Sequence, residues 1–119
     1  MIVVNDAWSE GMGSSLQAGV NALDSGVDGC VIVTCDMPAV SPAHLRELMK
    51  TGEITASEYA GRRGVPAYFP ASTFAALMQL RGDAGARDLL KAANAVQLPG
   101  GELDVDTEQD LERARTLFD

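Results

Sequence analysis

The sequence predicts an α/β layered domain with a mostly parallel sheet. Apolar, β-branched runs alternate along the chain with segments of helical periodicity. One run, "CVIVTC" (30–35), is apolar almost throughout, which suits a strand covered on both faces. The length of 119 residues fits a single domain over 1–119, and an apolar content of 46 % supplies its core.

The elements follow in order. "IVVN" (2–5) is a short apolar strand. "SSLQAGVNALDSG" places Leu16, Gly19, Val20 and Leu23 at i, i+3, i+4 and i+7, which predicts a helix capped by Ser14 and stopped by Gly26. After strand 30–35, "SPAHLRELMK" opens with Ser41 as N-cap and Pro42 in the first helical position, with Leu45, Leu48 and Met49 as its apolar face. The single His44 reads there as polar and exposed, with no catalytic role. "ITASEYAG" (54–61) reads as a strand, and "PAYFP" (66–70) as a short extended piece. The residues around Arg62 to Pro66 read as a longer loop. "STFAALMQL" (72–80) and 84–94 carry helical spacing, "AVQLP" (95–99) reads as a strand, and a last helix over 108–118 is capped by Thr107.

The net charge of −8 argues against a nucleic-acid or anionic-membrane surface, which would need a basic stripe. A small anionic ligand stays open, held by a cation, by backbone N–H groups or by a few arginines. Cys30 and Cys35 fall on opposite faces of one strand and read as reduced core residues of a cytoplasmic protein. The start "MIVVNDAW" has no signal-peptide pattern, and no apolar run is long enough for a membrane span.

In α/β sheets, ligands gather at the carboxyl ends of strands. Asp36 sits where strand 30–35 ends, in "VIVTCDMPAVSP". A carboxylate there is either a turn former or a metal ligand, and the local sequence leaves both open.

Four segments decide more in combination: "EGMGSSLQAG" (10–19), "CDMPAVSPAHL" (35–45), "GVPAYFPASTFAALMQLRGDAGARDLL" (64–90) and "LDVDTEQDL" (103–111). Together they resemble the MobA-like nucleotidyltransferases, most closely the molybdenum cofactor cytidylyltransferase branch. The resemblance implies a Rossmann-like three-layer α/β/α fold. It implies transfer of a nucleoside monophosphate from an NTP, here CTP, to a small phosphorylated acceptor such as the molybdopterin cofactor, with release of pyrophosphate. Mg²⁺ (Mg2+) held by acidic side chains would screen the triphosphate, since attack of one phosphate on another is slowed by the repulsion of anions.

By the same resemblance Asp36 would be a catalytic residue as metal ligand, and Asp106 in "DVDT" its acidic partner, with Asp104 as a solvated neighbour; a turn or helix-entry acid is the alternative for Asp106. Gly11, Met12, Ser14 and Ser15 of "GMGSSL" would lie against the nucleotide; a Gly-rich turn with an N-cap serine is the alternative. Gly82, Asp83 and Arg87 of "RGDAGAR", with Gly64 and Pro66, would face the acceptor; a capped surface helix explains "RGDAGAR" equally well. Relatives often carry "GHP" where this chain has Gly64-Val65-Pro66, so the contribution of that histidine is missing here.

The family's opening strand and glycine-rich loop, L-A-A-G-x-x-x-R-M-G, is not found in the sequence, which reads as an N-terminally truncated, C-terminal portion of the family fold. The strands that would flank that element are expected to have an open edge. Strand 2–5, a second copy in a homodimer, or a partner chain would cover it. The isolated chain is expected to be weak or inactive. A non-catalytic nucleotide-binding or partner module is the alternative function.

Overall fold

The computed structural model describes residues 12–23, 25–34, 36–79 and 88–101, with backbone alone at 12–16. The expected strand 2–5, the helix 108–118, Cys35 and all of "RGDAGAR" lie outside the described residues.

Helix α1 spans Met12–Asn21. It is already under way at Met12, so Ser14 lies in its first turn and does not cap it. Helix α2 spans Pro42–Met49 and starts where the Ser-Pro signal places it. The Ser41 hydroxyl accepts a hydrogen bond from the His44 amide at 3.2 Å, and Pro42 occupies a position that needs no N–H donor. A 3₁₀ turn over Ala71–Thr73 leads into the short helix α3, Phe74–Leu77, and residues 88–91 are helical.

The strands are β1 (Gly29–Ile32), β2 (Thr55–Tyr59), β3 (Arg62–Pro70) and β4 (Asn94–Gln97), in the spatial order β1-β3-β2-β4. β3 pairs antiparallel with both β1 and β2, and β2 pairs parallel with β4. The sheet is therefore mixed and mostly antiparallel among the described residues, which corrects the mostly parallel sheet expected from the sequence. The cause lies in the connection. Only Ala60 and Gly61 separate β2 from β3, and both take positive φ, 52° and 74°. Such a two-residue turn closes an antiparallel hairpin, whereas a parallel neighbour needs a crossover of a dozen residues or so. The same hairpin corrects the expected loop at Arg62 to Pro66, which is the first half of β3.

Alternation along the strands divides the core into two faces. Ala56, Ala67 and Phe69 cluster with Val20 of α1, Leu77 of α3, and Leu90 and Ala93. On the other face, Ser57 meets His44 of α2, and α2 packs across β2, β3 and β4. Helices thus cover both faces of one mixed sheet in three layers. Cys30 is a free, half-buried thiol whose burial pushes its pKa up.

Candidate functional site

β1 and β2 both run opposite to β3, and β4 runs with β2, so the carboxyl ends of β1, β2 and β4 share one rim. Asp36, half-buried, follows β1 onto that rim. The turn at Ala60 and Gly61 follows β2, and Leu98 to Gly101 follow β4. The side to which the strand-end rule assigns ligands is therefore the side that carries the sequence-predicted acid. Asp104 and Asp106 lie outside the described residues. Among the described residues no three His, Cys, Asp or Glu side chains form a cluster that could hold a metal. Asp36 is thus the one described member of the predicted pair, and a carboxylate on this rim fits a hard divalent cation as a single oxygen ligand.

The Gly64-Val65-Pro66 segment has an architecture the sequence did not announce. Along the β2–β3 ladder Ala56 faces Ala67, and the next residue, Ser57, faces Gly64. Val65 and Pro66 are left without partners in register, so β3 bulges there. Their carbonyls are taken up by side chains of β2 instead. The Ser57 hydroxyl donates to the Pro66 carbonyl at 2.6 Å, and the Tyr59 hydroxyl donates to the Val65 carbonyl at 3.2 Å.

His44 stands behind Ser57, with Nε2 2.7 Å from the serine oxygen. Ser57 has one proton and gives it to a carbonyl that can only accept, so His44 Nε2 must be the donor in this pair. The side chain is 8 % exposed, which corrects the expected exposed histidine. The sequence places it on the polar side of α2, but the face that meets the sheet is His44 and Leu48, one turn apart, while Met49 points outward at 45 % exposure. Burial lowers the His44 pKa, and Glu47 opposes this in part.

Tyr59 joins the bulge to the loop after β4. A Cβ added at Gly101 would come 2.8 Å from the Tyr59 ring, so only glycine lets that loop lie against the tyrosine. The chain is thereby pinned at Gly101, shortly before "LDVDT".

The other predicted residues divide as follows. Met12, Ser14 and Ser15 lie in the first turn of α1, and Gly64 and Pro66 lie in the bulge. Gly11, Gly82, Asp83 and Arg87 lie outside the described residues. His44, Ser57 and Tyr59 were not singled out as site residues by sequence. Their partners lie 13, 9 and 6 residues away, and no local spacing signals such bonds.

A mixed sheet between helix layers, with an acid following β1 on the carboxyl rim, is the fold of an α/β domain whose ligands are expected on that rim. The chain belongs to the family described as "MobA-like NTP transferase domain", which matches residues 1–98. It is 37 % identical over 123 residues to the purine catabolism protein PucB of Bacillus subtilis, covering 95 % of this chain and 60 % of that protein. Among solved structures it is similar to Rv0371c of Mycobacterium tuberculosis in complex with manganese, with 31 % identity and a TM-score of 0.63 over 84 % of this chain and 58 % of that one. The fold is also that of molybdopterin-guanine dinucleotide biosynthesis protein A from Archaeoglobus fulgidus, with a TM-score of 0.63 at 19 % identity over 90 % of this chain and 62 % of that one. The chain therefore spans about three fifths of the length of these relatives. Among the described residues no helix is long and apolar enough to cross a membrane.

Proposed function

We propose that this chain acts in nucleotidyl transfer, moving a nucleoside monophosphate from an NTP, with CTP as the nucleotide, to a small phosphorylated acceptor such as the molybdopterin cofactor, with release of pyrophosphate. The observation that carries the reading is Asp36 on the carboxyl rim of three strands that run in one direction. Family membership and the manganese-bound relative support it.

In this reading Asp36 and Asp106 hold a Mg²⁺ ion. When bound, that ion supplies charge neutralisation at the triphosphate. The reach between the two acids is compatible with the fold. β1 and β4 are the outer strands of the described sheet, three strand spacings or about 14 Å apart. The five residues from Gly101 to Asp106 can span up to about 17 Å. The first turn of α1, with Met12, Ser14 and Ser15, offers backbone N–H groups to the nucleotide, and Gly11 precedes it in the sequence. Gly64, half-buried, presents the secured bulge to the acceptor, with Gly82, Asp83 and Arg87 of the following segment, while Pro66 is fully buried and shapes the bulge from behind instead of touching the acceptor. Such an enzyme operates in the cytoplasm, where its nucleotide is made.

A second reading is a non-catalytic nucleotide-binding or partner module. It is favoured by the outer edge of β1, which has no strand partner among the described residues; another copy or a partner chain would cover it. Release of pyrophosphate from CTP, with Mg²⁺ and a phosphorylated acceptor, separates the two. Release that depends on acceptor and metal supports transfer. Metal-dependent CTP binding without any release supports the module.

A further inference from the structure

We propose that the cavity beside the β2–β3 turn binds the phosphate group of a small-molecule ligand. It measures about 530 Å³ and is lined by Glu58, Gly61, Arg62, Arg63 and Lys91. That volume falls within the range of small-molecule sites. The chain carries nine Lys and Arg residues against a net charge of −8, yet three of the nine face this one cavity.

The single carboxylate in the lining is engaged on both oxygens. Glu58 Oε2 lies 3.6 Å from Arg63 Nε, and Oε1 accepts from Gln97 Nε2 at 2.8 Å. Arg63 Nη1 also donates to the Lys91 carbonyl at 2.6 Å, so its guanidinium is oriented before any ligand arrives. The Arg62 side chain has no hydrogen-bond or ion-pair partner among the described residues. Lys91 pairs with Asp88 only at 3.5 Å, with both side chains more than 70 % exposed, a pair that solvent screens almost fully. Two cations remain available around one fixed fork, which suits a phosphate better than a monoanion.

The overall negative charge repels nucleic acid and anionic membranes, so the occupant is small. The β2–β3 turn that carries Gly61 and Arg62 stands on the same rim as Asp36. The phosphate thus belongs either to the nucleotide or to the acceptor; this choice alone rests on the nucleotidyl-transfer reading.

The test is a titration of the ¹⁵N-labelled full chain, followed by amide resonances, with ribose 5-phosphate and with Mg-CTP. Ribose 5-phosphate should shift the amides of 61–64 and 91 saturably. The exposed-site double variant Arg62→Ala/Lys91→Ala should weaken that binding at least tenfold while leaving distant amides in place. Arg62→Gln/Lys91→Gln, which keeps side-chain bulk, should do the same. Competition between the two ligands assigns the phosphate to the nucleotide, and simultaneous binding assigns it to the acceptor. Absence of shifts at 61–64 and 91, or unchanged affinity in both double variants, overturns the proposal. Phosphomonoester binding here without any Mg-CTP binding would count against the nucleotidyl-transfer reading alone, and the converse against this site alone.

Discussion

The two halves of β3 follow opposite rules. Its inner half, Pro66 to Phe69, is buried throughout; its outer half, Arg62 and Arg63, is exposed and charged. The bulge at Val65 and Pro66 divides them. On the inner side, geometry is imposed by packing and by side chains that hydrogen-bond otherwise unpaired carbonyls. On the outer side, a two-residue turn and the ladder to β2 hold the arginines out in solvent, and among the described residues only the Arg63 side chain has a partner. One strand thus provides both a buried, hydrogen-bonded base and a charged, exposed tip.

That contrast can be broken most strongly at Ser57. The residue is fully buried, and Ser57→Ala leaves the Pro66 carbonyl and the His44 Nε2–H unpaired. The expected loss is about 1–3 kcal/mol for each unpaired group, read from urea unfolding. Tyr59→Phe removes the bond to the Val65 carbonyl and keeps the ring against Gly101, and loss of that bond should cost about 0.5–1.5 kcal/mol in the same measurement.

His44 sharpens the comparison through pH. Burial holds its pKa below the ordinary value of 6.5, so the unfolded chain binds the proton first as pH falls. Its contribution is fully present above pH 6.5, and stability declines as pH drops from there through the lowered folded pKa. Unfolding midpoints measured across this window should slope in the parent chain, with the His44 component of that slope absent in His44→Gln. The smallest effect belongs to the tip. Ala60 holds φ at 52°, a region that costs a residue with a Cβ, and Ala60→Gly should change stability by no more than about 1 kcal/mol, towards a more stable fold.

How far the sequence could be read follows the same division between local and distant causes. Ser41 and Pro42 announced the start of α2 because a cap and a first-turn proline act within one helical turn. The apolar run 30–35 announced β1, but the strand ends at Ile32, four residues before Asp36, so the acid does not mark the strand end. The hairpin was missed because Ala60-Gly61 lacks the usual Asn or Asp before glycine, and because the two arginines after it read as loop. His44 was misjudged because the serine that receives its proton sits on another element. The order of the strands, with β3 inserted between β1 and β2, is a tertiary fact that no periodicity encodes.

The central claim is that the carboxyl rim at Asp36 holds a nucleotide through a divalent cation. Calorimetric titration of the chain with CTP in the presence of Mg²⁺, repeated on Asp36→Asn, tests it most directly. The account predicts metal-dependent binding that falls at least tenfold in the variant while its unfolding curve stays in place. Equal Mg-CTP affinity in the two proteins would contradict it.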